Sequence, residues 1–215
     1  MDIPTKRPGR PKDDQLAARR TDEILDVAAR LFAARGYPST DLQVVADELG
    51  VGKGTIYRYF PTKRNLFLAT VDRGMQRLTA YIAAAMMSPD ALEQMEQGIR
   101  AYLAFFKANP EFAELLIQER AEFRDRSKPT YFDYRDANVE KFEGLVRGLV
   151  AAGRLRDLPL ETTCGVIGDL LYGTMFTDYF SGRDRSLDEQ VGQIVNVVLV
   201  GLLSEAERAK WLDGR

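Results

Sequence analysis

The sequence predicts an all-α chain: an N-terminal three-helix helix-turn-helix head joined to a C-terminal helical body, about nine helices in all. Three observations predict it. Apolar residues recur at three- and four-residue spacing from Ile24 to Leu203, the period of a helix face. No alternating apolar run bounded by hairpin turns interrupts that pattern. Pro, Gly and hydroxyl residues fall where helices of ordinary length start and stop.

Helix 1 starts at Thr21, whose hydroxyl suits an N-cap while Asp22 and Glu23 suit the positive helix end. Ile24, Val27, Ala28, Leu31 and Phe32 form its apolar stripe, and Gly36 ends it. The preceding residues 1–20, polar and rich in Pro, Lys and Arg, read as a disordered basic arm. Helix 2 starts at Thr40, with Gln43 three residues on completing a capping box. Val44, Val45 and Leu49 face inward, and Gly50 supplies the turn. Helix 3 runs from Gly52 to Phe60, stopped by Pro61.

Thr62 caps helix 4, which carries Leu66, Phe67, Val71, Leu78 and Ile82 toward Met87. Helix 5 covers 90–108, and Asn109-Pro110 opens helix 6, which ends near Arg124. Helix 7 spans Tyr131 to Ala152 and closes at Gly153. Helix 8 starts at Pro159 and ends near Ser181-Gly182. Ser186 with Glu189 is a second capping box, opening a helix 9 that continues to Lys210. The boundary between head and body falls within helix 4, so a continuous helix joins the two parts.

Composition excludes several classes. The chain of 215 residues has no histidine and one cysteine, Cys164. That removes His-based nucleophilic sites, His metal ligation and an internal disulfide, and it fits a reducing cytoplasm. No Gly-rich phosphate loop or paired-carboxylate frame is present, so neither an enzyme, a cofactor nor a metal is implied. The longest nearly apolar stretch, Val191 to Leu203, is too short to span a bilayer, and the N-terminus lacks a signal h-region. Net charge is −2, unevenly distributed: 12 Lys/Arg against 9 Asp/Glu through Asn65, then an acidic remainder. A basic head on an acidic body suits a protein that meets phosphate at one end.

The head carries the chemistry. A short helix, a Gly turn and a second short helix that is basic, aromatic and hydroxyl-bearing make a unit able to lay that second helix in a DNA major groove. Lys53, Gly54 and Thr55 stand at its N-terminus, where free N–H groups meet phosphate or base edges and Gly54 permits close approach. Tyr57, Arg58 and Tyr59 follow for aromatic and phosphate contact, and Lys63 clamps phosphate from the start of helix 4. Ile56 and Phe60, four apart, form the buried side. Thr40 anchors the backbone from helix 2. Gln43 is claimed both by the groove and by the capping box, and Asp41 repels phosphate while favouring the helix dipole. The arm Lys6-Arg7-Pro8-Gly9-Arg10-Pro11-Lys12 resembles an AT-hook suited to a narrow minor groove; a tail with nonspecific phosphate attraction is the alternative.

Gly36-Tyr37, Thr40, Ala46, Gly50-Val51, Gly52-Lys53-Gly54-Thr55-Ile56-Tyr57, Tyr59-Phe60, Lys63 and Leu66 together resemble the DNA-binding segment of the TetR family of bacterial repressors. The resemblance covers residues 20 to 65; the body resembles the family in length and helix count only. It departs at Asp41, where the family often has Thr or Ser. The resemblance implies three parts: the arm 1–20, a DNA-binding domain 21–66 and a ligand-binding and dimerisation domain 67–215. It implies a homodimer paired through helices 8 and 9, matching a palindromic double-stranded operator with recognition helices roughly 34–36 Å apart. It also implies a small hydrophobic inducer held among helices 5 to 8, and a cytoplasmic repressor released by it.

Candidate pocket residues are Tyr102, Phe106, Leu116, Glu119, Phe123, Tyr134, Tyr172 and Phe176, with Glu119 and Asp169 as acids able to anchor a cationic or hydroxyl-bearing ligand. The same aromatics describe an ordinary core equally well. Likewise, the stripes Val166, Ile167, Leu170 and Leu171, then Val191, Val195 and Leu199, would serve either a dimer or a monomer core. An effector-independent DNA-binding regulator or architectural protein is the alternative, and it would have a dry body core.

Overall fold

The computed structural model describes residues 11–182 and 185–213. All the regular structure among them is helical, apart from one isolated antiparallel bridge between Leu155 and Leu203. The chain divides into two compact units, one ending at Thr70 and one starting at Val71.

In the first unit, α1 (Pro11–Ser39) starts ten residues before the predicted Thr21. Residues 11–20 are therefore helical and not a disordered arm, consistent with Pro at a first helical position and the strong helix formers Gln-Leu-Ala-Ala-Arg-Arg after it. Of the AT-hook-like segment Lys6 to Lys12, residues 6–10 lie outside the described residues, and Pro11 and Lys12 open α1. Gly36 interrupts α1 with φ 80° and ψ 159°, a conformation open essentially to Gly alone. The kink turns Tyr37 back onto Phe32 and Phe67, with ring centroids 5.9 and 5.2 Å away. With Ile24, Ala28, Val45, Ile56 and Leu66, all fully buried, these rings make the core of the unit.

The second helix, α2 (Leu42–Leu49), is capped by Asp41 and not by Thr40. The Asp41 carboxylate accepts from the Gln43 and Val44 amides at 2.7 and 3.1 Å. Thr40 is fully buried, its hydroxyl donating to the Leu31 carbonyl. The two residues are adjacent and both are good caps, so the inward pull of Leu31 decides between them. α2 buries Leu42, Val45 and Ala46, whereas Val44 and Leu49 stay half-buried. It ends at Gly50 in the left-handed region, with the Val51 amide returning to the Ala46 carbonyl at 3.0 Å. α3 (Lys53–Tyr59) ends at Phe60, held extended by Pro61. α4 (Lys63–Ala85) begins with the Asn65 amide donating to the Thr62 hydroxyl at 3.0 Å.

The second unit holds the rest of α4, then α5 (Ala91–Ala108), α6 (Pro110–Glu122), α7 (Thr130–Ala151) and α8 (Leu160–Ser181). Phe112 of α6 lies over Gly74 of α4 so closely that a Cβ there would sit 1.8 Å from its ring. Gly74 is what lets the two helices meet.

The predicted ninth helix is divided. α9 (Leu187–Ile194) opens with the predicted Ser186–Glu189 capping box, passes through a π turn (Val195–Leu199) and ends in α10 (Val200–Leu202). Leu203 is extended and fully buried, and the Ser204 amide pairs with the Arg154 carbonyl. Ser204 then restarts the chain as α11 (Glu205–Asp213), its hydroxyl accepting from the Glu207 amide. Ser204 followed three residues later by Glu207 is a helix-start signature in its own right. Arg154 ties this end together, donating to Asp90 at 2.5 Å and to Glu207 at 2.8 Å.

Candidate nucleic-acid interface and body cavity

The outer face of α3 is built by what its inner face buries. Ile56 and Phe60 are buried, so Lys53, Gly54, Tyr57 and Arg58 are exposed, and Thr55 and Tyr59 stand half-buried at the edges. Tyr57 keeps 42% of its surface exposed, a large value for an aromatic side chain. Cations accompany both tyrosines: the Lys53 ammonium lies 5.6 Å from the Tyr57 ring centre and the Arg58 guanidinium 5.2 Å from that of Tyr59.

Three of the predicted contacts are differently employed. Thr40, inside the core, offers its hydroxyl to Leu31 and presents nothing outward. Gln43 is free of the capping box, but its amide donates to Asp47 at 2.6 Å. Lys63 donates to the Pro38 carbonyl at 3.0 Å, with its ammonium 4.4 Å from the Tyr37 ring centre. Its charge thus pins the segment after the Gly36 kink. The Val44 and Gln43 amides, with Lys53 and Lys63 in range, hold the Asp41 carboxyl below its usual value.

In the second unit the predicted pocket residues separate. Leu116, Glu119 and Tyr172 line a cavity of about 490 Å³, together with Tyr131, Phe132 and Pro129. Phe106 lines a second cavity of about 300 Å³. Tyr102, Phe123, Tyr134 and Phe176 line neither. The Tyr102 hydroxyl meets that of Tyr131 at 3.1 Å, and Phe123 is buried at the C-terminus of α6. Tyr134 donates to Asp72 at 2.7 Å, and Phe176 packs edge-on against Tyr172. These four are packing and linking residues.

Neither predicted acid is available as an anchor. Glu119 is 1% exposed and saturated: it accepts from Arg126 at 2.5 Å and from the Thr130 amide and hydroxyl at 3.0 and 2.6 Å. It therefore caps the start of α7. Asp169 is bound to Arg135 at 2.9 Å on the exposed face of α8 and lines no cavity. What the sequence reading overlooked is arginine: Arg120, Arg124 and Arg126 all line the larger cavity. The i, i+4 spacing of Arg120 and Arg124 was the available signal. Burial pushes the Tyr131 and Tyr172 phenols up, so both of these lining residues stay neutral.

No helix among the described residues is long and apolar enough to cross a membrane. No cluster of His, Cys, Asp or Glu among them could hold a metal ion.

Residues 24–70 match the family described as bacterial regulatory proteins, tetR family. The chain is 25% identical over 100 residues to the HTH-type transcriptional activator FasR of Mycolicibacterium smegmatis, covering 46% of each chain. It is 36% identical over 107 residues to an uncharacterised HTH-type transcriptional regulator of Mycobacterium tuberculosis, covering 46% of this chain and 52% of that one. The chain thus spans about half the length of these curated relatives. Among solved structures, the fatty acid degradation regulator FadR of Bacillus halodurans superposes with a TM-score of 0.72 at 18% identity, over 84% of this chain and 94% of that one. At that identity the likeness is one of fold.

Proposed function

Because this chain belongs to the tetR family of bacterial regulatory proteins through its residues 24–70, we propose that it is an effector-responsive transcriptional repressor. It binds a palindromic double-stranded DNA operator as a homodimer and works in the cytoplasm. The observation that carries this reading is the outward face of α3, where Lys53, Gly54, Tyr57 and Arg58 stand exposed beside one another while Ile56 and Phe60 anchor the helix beneath. Backbone approach at Gly54, aromatic contact from Tyr57 and phosphate bonds from Lys53 and Arg58 are what a major groove accepts.

A homodimer supplies two such faces. The α8 residues Val166, Leu170, Gly173, Thr177 and Phe180 are all exposed at helical spacing, and Val197 stands 76% exposed after α9. An apolar strip of this kind is what self-association through these helices would cover. Val195 and Leu199, by contrast, belong to the core of the monomer.

The larger cavity favours effector control over the effector-independent alternative. Two helices that line it, α6 and α7, both grip α4 within the second unit: Phe112 lies over Gly74, and Tyr134 bonds Asp72. α4 continues from there into the first unit. A ligand that prefers the arrangement unable to bind DNA shifts the equilibrium along this helix and releases the operator.

The test is a mobility shift on the DNA upstream of the protein's own gene, at fixed salt, with a scrambled duplex as competitor and repeated with a panel of small molecules. Sequence-specific retention that a compound abolishes supports the reading. Binding no tighter than to the scrambled duplex overturns it.

A further inference from the structure

The chemistry of the larger cavity names a class of ligand, an inference that rests on the effector-responsive reading above. Two kinds of surface line it. Leu116, Tyr131, Phe132 and Tyr172 give an apolar, largely aromatic wall, and Arg120, Arg124 and Arg126 bring three guanidinium groups against one carboxylate, Glu119. The single acid is spent, since Arg126 and Thr130 occupy it. Arg126 is spent as well, on Glu119, Thr130 and Asp133.

Arg120 and Arg124 differ from the rest. Both are exposed, and neither side chain is in a hydrogen bond or ion pair among the described residues. Arg120 sits in the last turn of α6 and Arg124 just beyond it. A helix C-terminus tolerates such cations, but it does not require two of them at the rim of an aromatic cavity. The guanidinium fork binds carboxylate and phosphate through paired N–H bonds. A cation, by contrast, would meet net positive charge and find no free acid. The volume, about 490 Å³, lies in the roughly 300–1,000 Å³ range of small-molecule sites.

We propose that this cavity binds an organic anion, a carboxylate or phosphate carried on a flat aromatic or acyl body. Arg120 and Arg124 hold the anionic head, and Tyr131, Phe132 and Tyr172 line the body. The same chemistry turns away the cationic ligands that an unpaired Glu119 would have admitted.

Four probes with one body test it on the full chain by fluorescence titration: 1-pyrenebutyrate, 4-(1-pyrenyl)butyl phosphate, 1-pyrenebutanol and 1-pyrenebutylamine. Either anion is expected to bind at least about tenfold tighter than the alcohol, with the amine weakest. In the double variant Arg120→Ala/Arg124→Ala, whose melting temperature stays near that of the parent, the preference falls to within about threefold. Equal binding of all four probes, preference for the alcohol or amine, no binding at all, or a preference that survives in a folded double variant would each overturn the proposal. Should the variant not fold, the ranking on the parent protein decides by itself. Operator binding is measured separately by mobility shift. Anion-selective binding that leaves DNA affinity unchanged supports the anion site while refuting effector control, so the two failures are distinguishable.

Discussion

The Thr40 hydroxyl donates to the Leu31 carbonyl at 3.2 Å inside the core of the first unit. A side chain that pattern alone assigns to the DNA surface is thus a strut between α1 and the start of α2. Thr40→Ala should lower stability by about 1–2 kcal/mol, the cost of one buried hydrogen bond plus a methyl. Well below the melting temperature, operator affinity should change less than about threefold. Thermal melting alongside a DNA titration checks this; a large affinity loss in a fully folded variant would return Thr40 to the interface.

Lys53 and Tyr57 are exposed and lean on one another, so replacing either leaves the core untouched. Lys53→Ala should weaken operator and nonspecific DNA alike, reducing the slope of log affinity against log salt by about 1. Tyr57→Ala should leave that slope unchanged while lowering operator affinity by roughly tenfold, since its loss is of apolar contact. Titrations at several salt concentrations separate the two, and identical slopes for Lys53→Ala and the parent would remove Lys53 from the phosphate contacts.

Helix ends were legible in the sequence wherever one residue had one possible duty. Pro61, Pro110, Gly50, Gly182 and the Ser186–Glu189 box each mark an end in the structure. Legibility failed where neighbours competed. Thr40 and Asp41 are both good caps, and only the position of Leu31 chooses between them. The ninth helix read as continuous because its apolar residues keep their spacing, yet the bridge of Leu155 to Leu203 draws the chain out of it. The buried side of α3 was readable from Ile56 and Phe60 because a short helix has one core to face. The cavity was not, because its character depends on which charges are already spent. Along the chain Glu119 reads as available, but Thr130, eleven residues on, occupies it.

Arg154 predicts an acid-sensitive stability. Burial alone would raise the Asp90 carboxyl, but the Glu93 amide and the Arg154 guanidinium outweigh it and hold the group below its ordinary value; Arg154 lowers Glu207 likewise. Carboxyls depressed by folding stabilise the native state above their ordinary values of 3.8 and 4.5, and that contribution is lost as pH falls through the lower folded values. Arg154→Met should cost about 1–2 kcal/mol at pH 7, allowing for solvent screening of these partly exposed groups. The gap between variant and parent should then narrow below about pH 4. Denaturant melts across pH 3 to 7 measure it, and a constant gap would mean that Arg154 acts through packing.

The exposed strip on α8 and beyond α9 gives the last prediction. Val166 and Val197 keep 58% and 76% of their surface exposed, whereas Val195 and Leu199 have essentially none. Substitutions in the two sets should therefore fail differently. Val197→Glu with Leu170→Glu places charge on an exposed face, so the monomer should fold with nearly the parent's melting behaviour. Were that face the dimer interface, two buried like charges from each copy would oppose association, and a monomer that binds DNA weakly should result. Val195→Glu instead buries a charge in the core and should unfold the second unit whatever the oligomeric state. Sedimentation equilibrium with circular dichroism distinguishes the two outcomes. An intact dimer in the folded Val197→Glu/Leu170→Glu protein would move the interface away from α8 and α9.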